Sequence, residues 1–284
     1  SKNQRSKKIH IGKNKLKNIL SRILLLSVFV ALSSSNVLAD NIIIQSSTSL
    51  KNSGFYRYLA PILKQYTGVE IRVVAVGTGQ AIKNMKNCDG DVLITHSKNA
   101  ELEFLKTGYG LKRLEFMYNN WVIVGPRKAK TEINIRGHEI REIMETIYDK
   151  KEKFISRGDN SGTHMKELSL WKELALVPEE FPKTWYLETG SGQGATLMIA
   201  NEIGAFTITD TATWYSFKNK GNSEIFGYDN KDLNTYAITT VNPEKCKNIK
   251  SSAVEKIVTF LKSDNGRNSI SKFTLNNANA FFPI

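Results

Sequence analysis

Four segments of the chain combine hydroxyls and glycines in a way that suits one kind of chemistry. They are Ser46-Ser47-Thr48-Ser49, Gly77-Thr78-Gly79, Ser156-Arg157-Gly158-Asp159-Asn160-Ser161-Gly162-Thr163-His164 and Thr189-Gly190-Ser191-Gly192-Gln193-Gly194. Hydroxyls and the unpaired N–H groups of such turns are donors, and a helix starting behind each turn adds the positive end of its dipole. The guanidinium of Arg157 adds a planar, two-pronged donor. The set points to holding an anion rather than to making or breaking bonds. A fully deprotonated dianion wants donors on every side and no carboxylate within reach. A protonated phosphate leaves its P–OH unpaired in such a pocket, at about 1–3 kcal/mol. Asp159 and Asp210 therefore decide between the two, because a carboxylate from either one in the pocket brings phosphate back as a ligand.

Each segment also has a plainer reading. Hydroxyl residues before a helix are usually N-caps, each worth about 1 kcal/mol. Neither glycine turn has the Lys-Ser/Thr ending of a P-loop or the full dinucleotide fingerprint. Arg157 alone fits a structural ion pair as well as a ligand contact. His96 and His164 have no carboxylate or thiol at ligand spacing and read as surface or supporting groups. Asp159, Ser161 and His164 resemble a serine-hydrolase loop, but a catalytic relay needs its members to converge from separate segments. The coincidence of all four segments at strand ends favours the anion site.

That placement follows from the alternation of apolar strands with amphipathic helices. Strands are predicted over 41–45, 70–76 and 91–95, with helices behind them, the first over 55–66 with Phe55, Leu59, Ile62, Leu63 and Tyr66 on one face. A strand over 121–124 is stopped by Gly125-Pro126, and the pattern then restarts. Helices over 135–148, 163–176 and 195–201 alternate with strands over 153–156, 185–188 and 205–209, and Met165, Leu168 and Leu174 share a helix face. A strand over 236–241 and a helix over 253–261 close the chain. The reading is an α/β protein with a largely parallel sheet and two lobes: lobe I over 40–122 and 229–284, lobe II over 123–228, with the ligand cleft between them.

Residues 1–39 read as a secretory signal. Eight Lys and Arg and no acid precede a run of about ten residues from Ile23, apolar except for Ser27 and about half of what spans a bilayer, and Val37-Leu38-Ala39 suits cleavage before Asp40. Removing eight positive charges from +13 leaves about +5 on the remaining, roughly 245 residues. That mild excess, without a dense basic stripe, gives no support to nucleic-acid binding, and nothing in the mature chain inserts into a membrane. Cys88 and Cys246 fit no metal spacing; a disulfide and two thiols both remain open.

The segments also resemble, motif by motif, the tungstate-binding proteins of bacterial ABC importers. Val73-Val74-Ala75-Val76-Gly77-Thr78-Gly79-Gln80-Ala81, Asp91-Val92-Leu93-Ile94-Thr95-His96 and the Ser156–His164 segment carry the likeness in the expected order. The resemblance implies a type II periplasmic binding protein fold of the Venus-flytrap kind. It further implies tungstate or molybdate as ligand, no cofactor and no catalysis. A periplasmic monomer would deliver the oxyanion to an ABC permease and its ATPase. Ligand contacts carried over from the family fall on Ser47, Thr48, Thr78, Arg157, Thr163, Ser191, Gly192 and Gln193. Three departures matter: the opening is Ser-Ser-Thr-Ser rather than Thr-Thr-Thr-Ser, Thr211 stands where the family has Arg, and Gln193 replaces Met and adds a donor. A phosphate or sulfate receptor of the same fold is the alternative.

Overall fold

The computed structural model describes residues 40–129, 139–159 and 161–284. The expected signal segment and the start of the helix expected at 135 lie outside the described residues.

The chain opens with β1 (Asp40–Ser47), α1 (Thr48–Asn52), α2 (Phe55–Thr67), β2 (Val69–Val76), α3 (Thr78–Lys86), β3 (Val92–Thr95), α4 (Lys98–Lys106) and β4 (Gly110–Asn119). A single residue, Asn120, separates β4 from β5 (Trp121–Pro126). Next come α5 (Ile140–Lys150), β6 (Phe154–Ser156), α6 (Gly162–Glu173), β7 (Tyr186–Glu188), α7 (Gln193–Ile203), β8 (Thr207–Asp210), α8 (Thr211–Ser216) and β9 (Ser223–Tyr228). The chain then returns to the first sheet through β10 (Asn234–Val241), α9 (Ser251–Lys262), α10 (Asp264–Ser271) and a final strand, Phe282–Pro283.

The first sheet has six strands in the order final strand, β4, β10, β3, β1, β2. Its core forms where Ile42 and Ile44 of β1 meet Phe55, Leu59 and Leu63 of α2 and Ile257 and Leu261 of α9. The second half of the chain builds the antiparallel sheet β8-β5-β9 and the parallel pair β6-β7. It has an aromatic core of its own around Phe154, Trp171, Phe181, Trp185, Tyr186 and Phe206. Burying such a side chain is worth about 1.5–3 kcal/mol, so each half holds its sheet by its own packing.

Two expectations need correction. The first sheet is mixed: β1 runs parallel to β2 and β3, while β10 is antiparallel to β3 and β4, and the final strand is antiparallel to β4. The cause is β4, whose Lys112, Arg113 and Glu115 break the apolar run that signals a strand. In the fold Arg113 is 8% exposed and pairs with Glu101 at 2.6 Å and Glu115 at 2.5 Å, so the charges satisfy one another inside the sheet's flank. Met165 and Tyr66 do not face the cores: they are 55% and 53% exposed. In α6 the buried face is instead Thr163, His164, Glu167, Leu170 and Trp171. The open question of the cysteines resolves as a disulfide, Cys88–Cys246, with Cα atoms 5.4 Å apart.

Candidate functional site

Four strands end within reach of one cleft. β1 ends at Ser47, the N-cap of α1; β6 ends at Ser156, immediately before Arg157; β7 leads through the glycine turn to Gly192, the N-cap of α7; β8 ends at Asp210, the N-cap of α8. Apolar strands buried in the two cores thus set polar loops side by side. The cleft has a volume of about 500 Å³. Thr48, Ser49 and Asn52 form one wall, and Arg157, Gly192 to Ala195, Thr213 and Ser216 to Lys218 form the other. Among the described residues no carboxylate lines it. Roomier grooves flank α9, but Leu114, Val258 and Phe260 are among their lining and neither lies at the carboxyl ends of these strands.

Of the eight expected contact residues, Thr48, Arg157, Gly192 and Gln193 line the cleft. Ser47 abuts it through its hydroxyl, 3.2 Å from that of Ser49. Ser191 adjoins it, but its hydroxyl donates to the Thr189 carbonyl at 3.1 Å. Thr78 and Thr163 are not in the lining. Thr78 opens α3 behind β2, whose Val76 lies opposite Ser47, and Thr163 is 5% exposed in the first turn of α6.

Arg157 is the cleft's central cation. Its Nη2 donates to Asp159 Oδ2 at 2.5 Å, its Nη1 points to Gln193 Oε1 at 3.4 Å, and its Nε is buried with no partner among the described residues. Leaving a buried donor unsatisfied costs about 1–3 kcal/mol, a cost that an incoming acceptor removes. The turn that aims this side chain needs Gly158, which sits at φ +60°, where a Cβ would come within 2.9 Å of Glu188 Cβ. Gln193 differs from the expected donor role. One of its amide N–H groups is committed to the Ile208 carbonyl at 2.9 Å, and its oxygen faces Arg157, so it orients the guanidinium.

The two carboxylates that decide the ligand class are both engaged. Asp210 is 2% exposed and accepts from Asn119 Nδ2 at 2.8 Å, Thr213 N at 3.0 Å and Thr213 Oγ1 at 2.5 Å. Asp159 is half-buried. Burial raises its affinity for a proton, but the hydrogen bond from Ser161 and the charge of Arg157 outweigh this and hold it below the usual carboxylate range. The hydrolase-like trio is a cap: Asp159 Oδ1 accepts from Ser161 N at 3.1 Å, and Ser161 Oγ accepts from His164 N at 3.3 Å.

Sequence reasoning missed Ser49 as a wall residue, and with it Thr213 and Lys218. The signal available was the same as for the other loops, since Thr213 follows the end of a strand. Thr211, in the place of the family's Arg, is 3% exposed, and its hydroxyl accepts from Asn120 N at 3.4 Å at the crossing between the sheets. Lys218 puts a second cation on the cleft instead. Among the described residues there is no group of three or more His, Cys, Asp or Glu arranged to hold a metal, and no helix long and apolar enough to cross a membrane.

Comparison with known proteins agrees with this architecture. The model of the PBP superfamily domain matches residues 33–264. The tungstate-binding protein TupA of Peptoclostridium acidaminophilum is 40% identical over 238 residues, 82% of this chain and 81% of that protein. The solved tungstate-binding protein TupA from Desulfovibrio alaskensis G20 superposes with a TM-score of 0.79 at 35% identity, over 87% of this chain and 99% of that one. The structure described as the tungstate ABC transporter from Geobacter sulfurreducens gives 0.73 at 35% identity, over 82% and 98%. Two α/β lobes around a donor-lined cleft, with this likeness along most of the chain, make the protein a member of the PBP superfamily, in the family of the tungstate-binding proteins.

Proposed function

We propose that the protein is an extracytoplasmic receptor that captures tungstate, with molybdate as its near analogue, and hands it to the permease of an ABC importer. The observation that carries this reading is the cleft itself. Among the described residues, Arg157 offers a buried Nε–H with no partner, hydroxyls and glycine turns lie beside it, and no carboxylate is in the lining. Such a site rewards a guest whose oxygens carry no proton. The relatives' tungstate names and the ABC transporter description support the same ligand and partner. The role needs no catalysis and no cofactor. The chain would act as a monomer released after cleavage near Ala39 and Asp40, with lobes I and II closing on the guest at the two crossings between the sheets.

Phosphate or sulfate is the second reading, and one observation favours phosphate: Asp159 sits against Arg157 and would accept a P–OH proton. Titrating tungstate, molybdate, sulfate and phosphate into the purified protein by calorimetry separates these. Tungstate tighter than phosphate by a factor of a hundred or more supports the proposal; equal or reversed affinities overturn it.

A further inference from the structure

A line of hydrogen bonds runs from one wall of the cleft, behind the crossings between the sheets, to the other wall. Thr213 on the second wall is held by Asp210. Asp210 accepts from Asn119 Nδ2 at 2.8 Å; Asn119 Oδ1 accepts from Asn234 Nδ2 at 2.7 Å; Asn234 Oδ1 lies 2.7 Å from His96 Nδ1; and His96 Nε2 lies 3.2 Å from Ser49 Oγ on the first wall. Asp210, Asn119 and Asn234 are at most 2% exposed.

The chemistry of one end dictates the direction of the whole line. A carboxylate only accepts, so Asn119 must turn its NH₂ to Asp210 and its oxygen to Asn234. Asn234 in turn must present NH₂ to Asn119 and oxygen to His96. His96 therefore carries its proton on Nδ1. In the neutral ring Nε2 is then an acceptor, and the Ser49 hydroxyl, which also lies 3.2 Å from Ser47 Oγ, is the donor at 3.2 Å from it. An anion in the cleft requires the opposite direction, with Ser49 donating to the guest. That leaves Nε2 without its Ser49 donor, in a half-buried ring. Tyr236 stacks on it at 4.7 Å, Trp121 at 6.3 Å, and Gly162 across the cleft is so close that a Cβ there would touch Cε1 at 3.5 Å.

Resting on the tungstate reading, we infer that anion capture draws a proton from solvent onto His96 Nε2, so that the ring donates to Ser49 Oγ and Ser49 donates to the anion. One N–H bond forms on Nε2 as the hydronium or buffer acid that supplies the proton loses its own bond to it, and the Ser49 hydrogen bond changes direction; no bond within the anion is made or broken. The groups facing the ring are Ser49 from α1, Asn234 and Tyr236 from β10, Trp121 from β5 and Gly162 from α6. The charged group the line reaches is Asp210, two amides away. Tyr236 keeps its proton, since burial holds its hydroxyl far above its ordinary range. His96 is a positioning residue: it acts on the guest through Ser49.

The test is calorimetric titration of tungstate in Tris and in HEPES at one pH near 7.5, because the difference in buffer ionisation enthalpy counts the protons exchanged. The wild-type protein should take up a substantial fraction of one proton per tungstate. His96→Gln, which keeps a polar group toward Ser49 but holds no titrating proton, should bind about tenfold more weakly with no proton uptake. Tungstate binding by the wild type without proton exchange overturns the inference and leaves the tungstate reading standing, as does uptake unchanged in His96→Gln. No tungstate binding at all removes the reading and the inference with it. The wild-type count needs no variant to fold.

Discussion

Arg157 Nη2 and Asp159 Oδ2 lie 2.5 Å apart beside a cleft that no carboxylate lines among the described residues, so the site's central cation is oriented by an anion kept just outside it. Removing the cation should therefore do more than delete a contact. Arg157→Ala is expected to weaken tungstate binding by at least a hundredfold, roughly 3 kcal/mol, because it also leaves Asp159 uncompensated. Arg157→Lys should recover only part of this, as one ammonium cannot reproduce the fork. Calorimetric affinities of the three proteins check the order.

Asp159 itself should oppose a dianion while favouring a protonated one. Asp159→Asn keeps an oxygen for the Ser161 N–H but removes the negative charge. Tungstate affinity is expected to rise several-fold at low salt, whereas phosphate, which loses its acceptor, should gain less or weaken. The ratio of the two dissociation constants, measured in wild type and variant, is the readout.

Glu167 makes the second lobe's stability depend on pH. Burial pushes its carboxyl up to about 7 from an ordinary 4.5, against the donors Tyr186 OH at 2.7 Å and Trp171 Nε1 at 3.2 Å. The folded protein therefore binds this proton more tightly than the unfolded chain, and stability falls as pH rises from about 4.5 to about 7, then levels off. The full effect is of order 3 kcal/mol. Glu167→Gln should be indifferent to pH in this window and melt higher than wild type at pH 8. A variant melting lower than wild type at pH 8 contradicts this account.

The bond between Cys88 and Cys246 closes a separation of 158 residues. Loops of this length gain most from a cross-link in the chain-entropy account, about 2–5 kcal/mol. Cys88→Ala combined with Cys246→Ala should lower the melting temperature by roughly 5–15 °C. Tungstate affinity should hold, since the bridge joins the segment behind α3 to the segment before α9, away from the cleft. Parallel thermal melts and titrations test both halves of the statement.

Where local sequence and burial agree, the elements could be read directly. β1, β3 and α9 are apolar runs or stripes, and each forms within a few residues of its predicted span. β4 could not, because the pairing that makes Arg113 and Glu115 tolerable in a strand depends on Glu101, which is contributed by α4. The direction of the first sheet failed for the same reason, since it is β4 and β10 that make it mixed. In the site, Arg157, Thr48 and the glycine turn before α7 were legible as loop chemistry at strand ends. The inward turn of Gln193 and the engagement of Asp210 were not. Both depend on partners, Ile208 and Asn119, that only the tertiary arrangement brings near.

β10, residues Asn234–Val241, lies between β3 and β4 and is hydrogen-bonded to both. A chain emerging from a ribosome or a secretion channel with its N-terminus first therefore displays β1 to β4 for well over a hundred residues before the strand that joins them arrives. The middle segment, Trp121–Tyr228, has its partners close in sequence and can collapse early. The outer half stays open until nearly all of the polypeptide has been delivered. Such a wiring order postpones completion of the first core until β10 is in place.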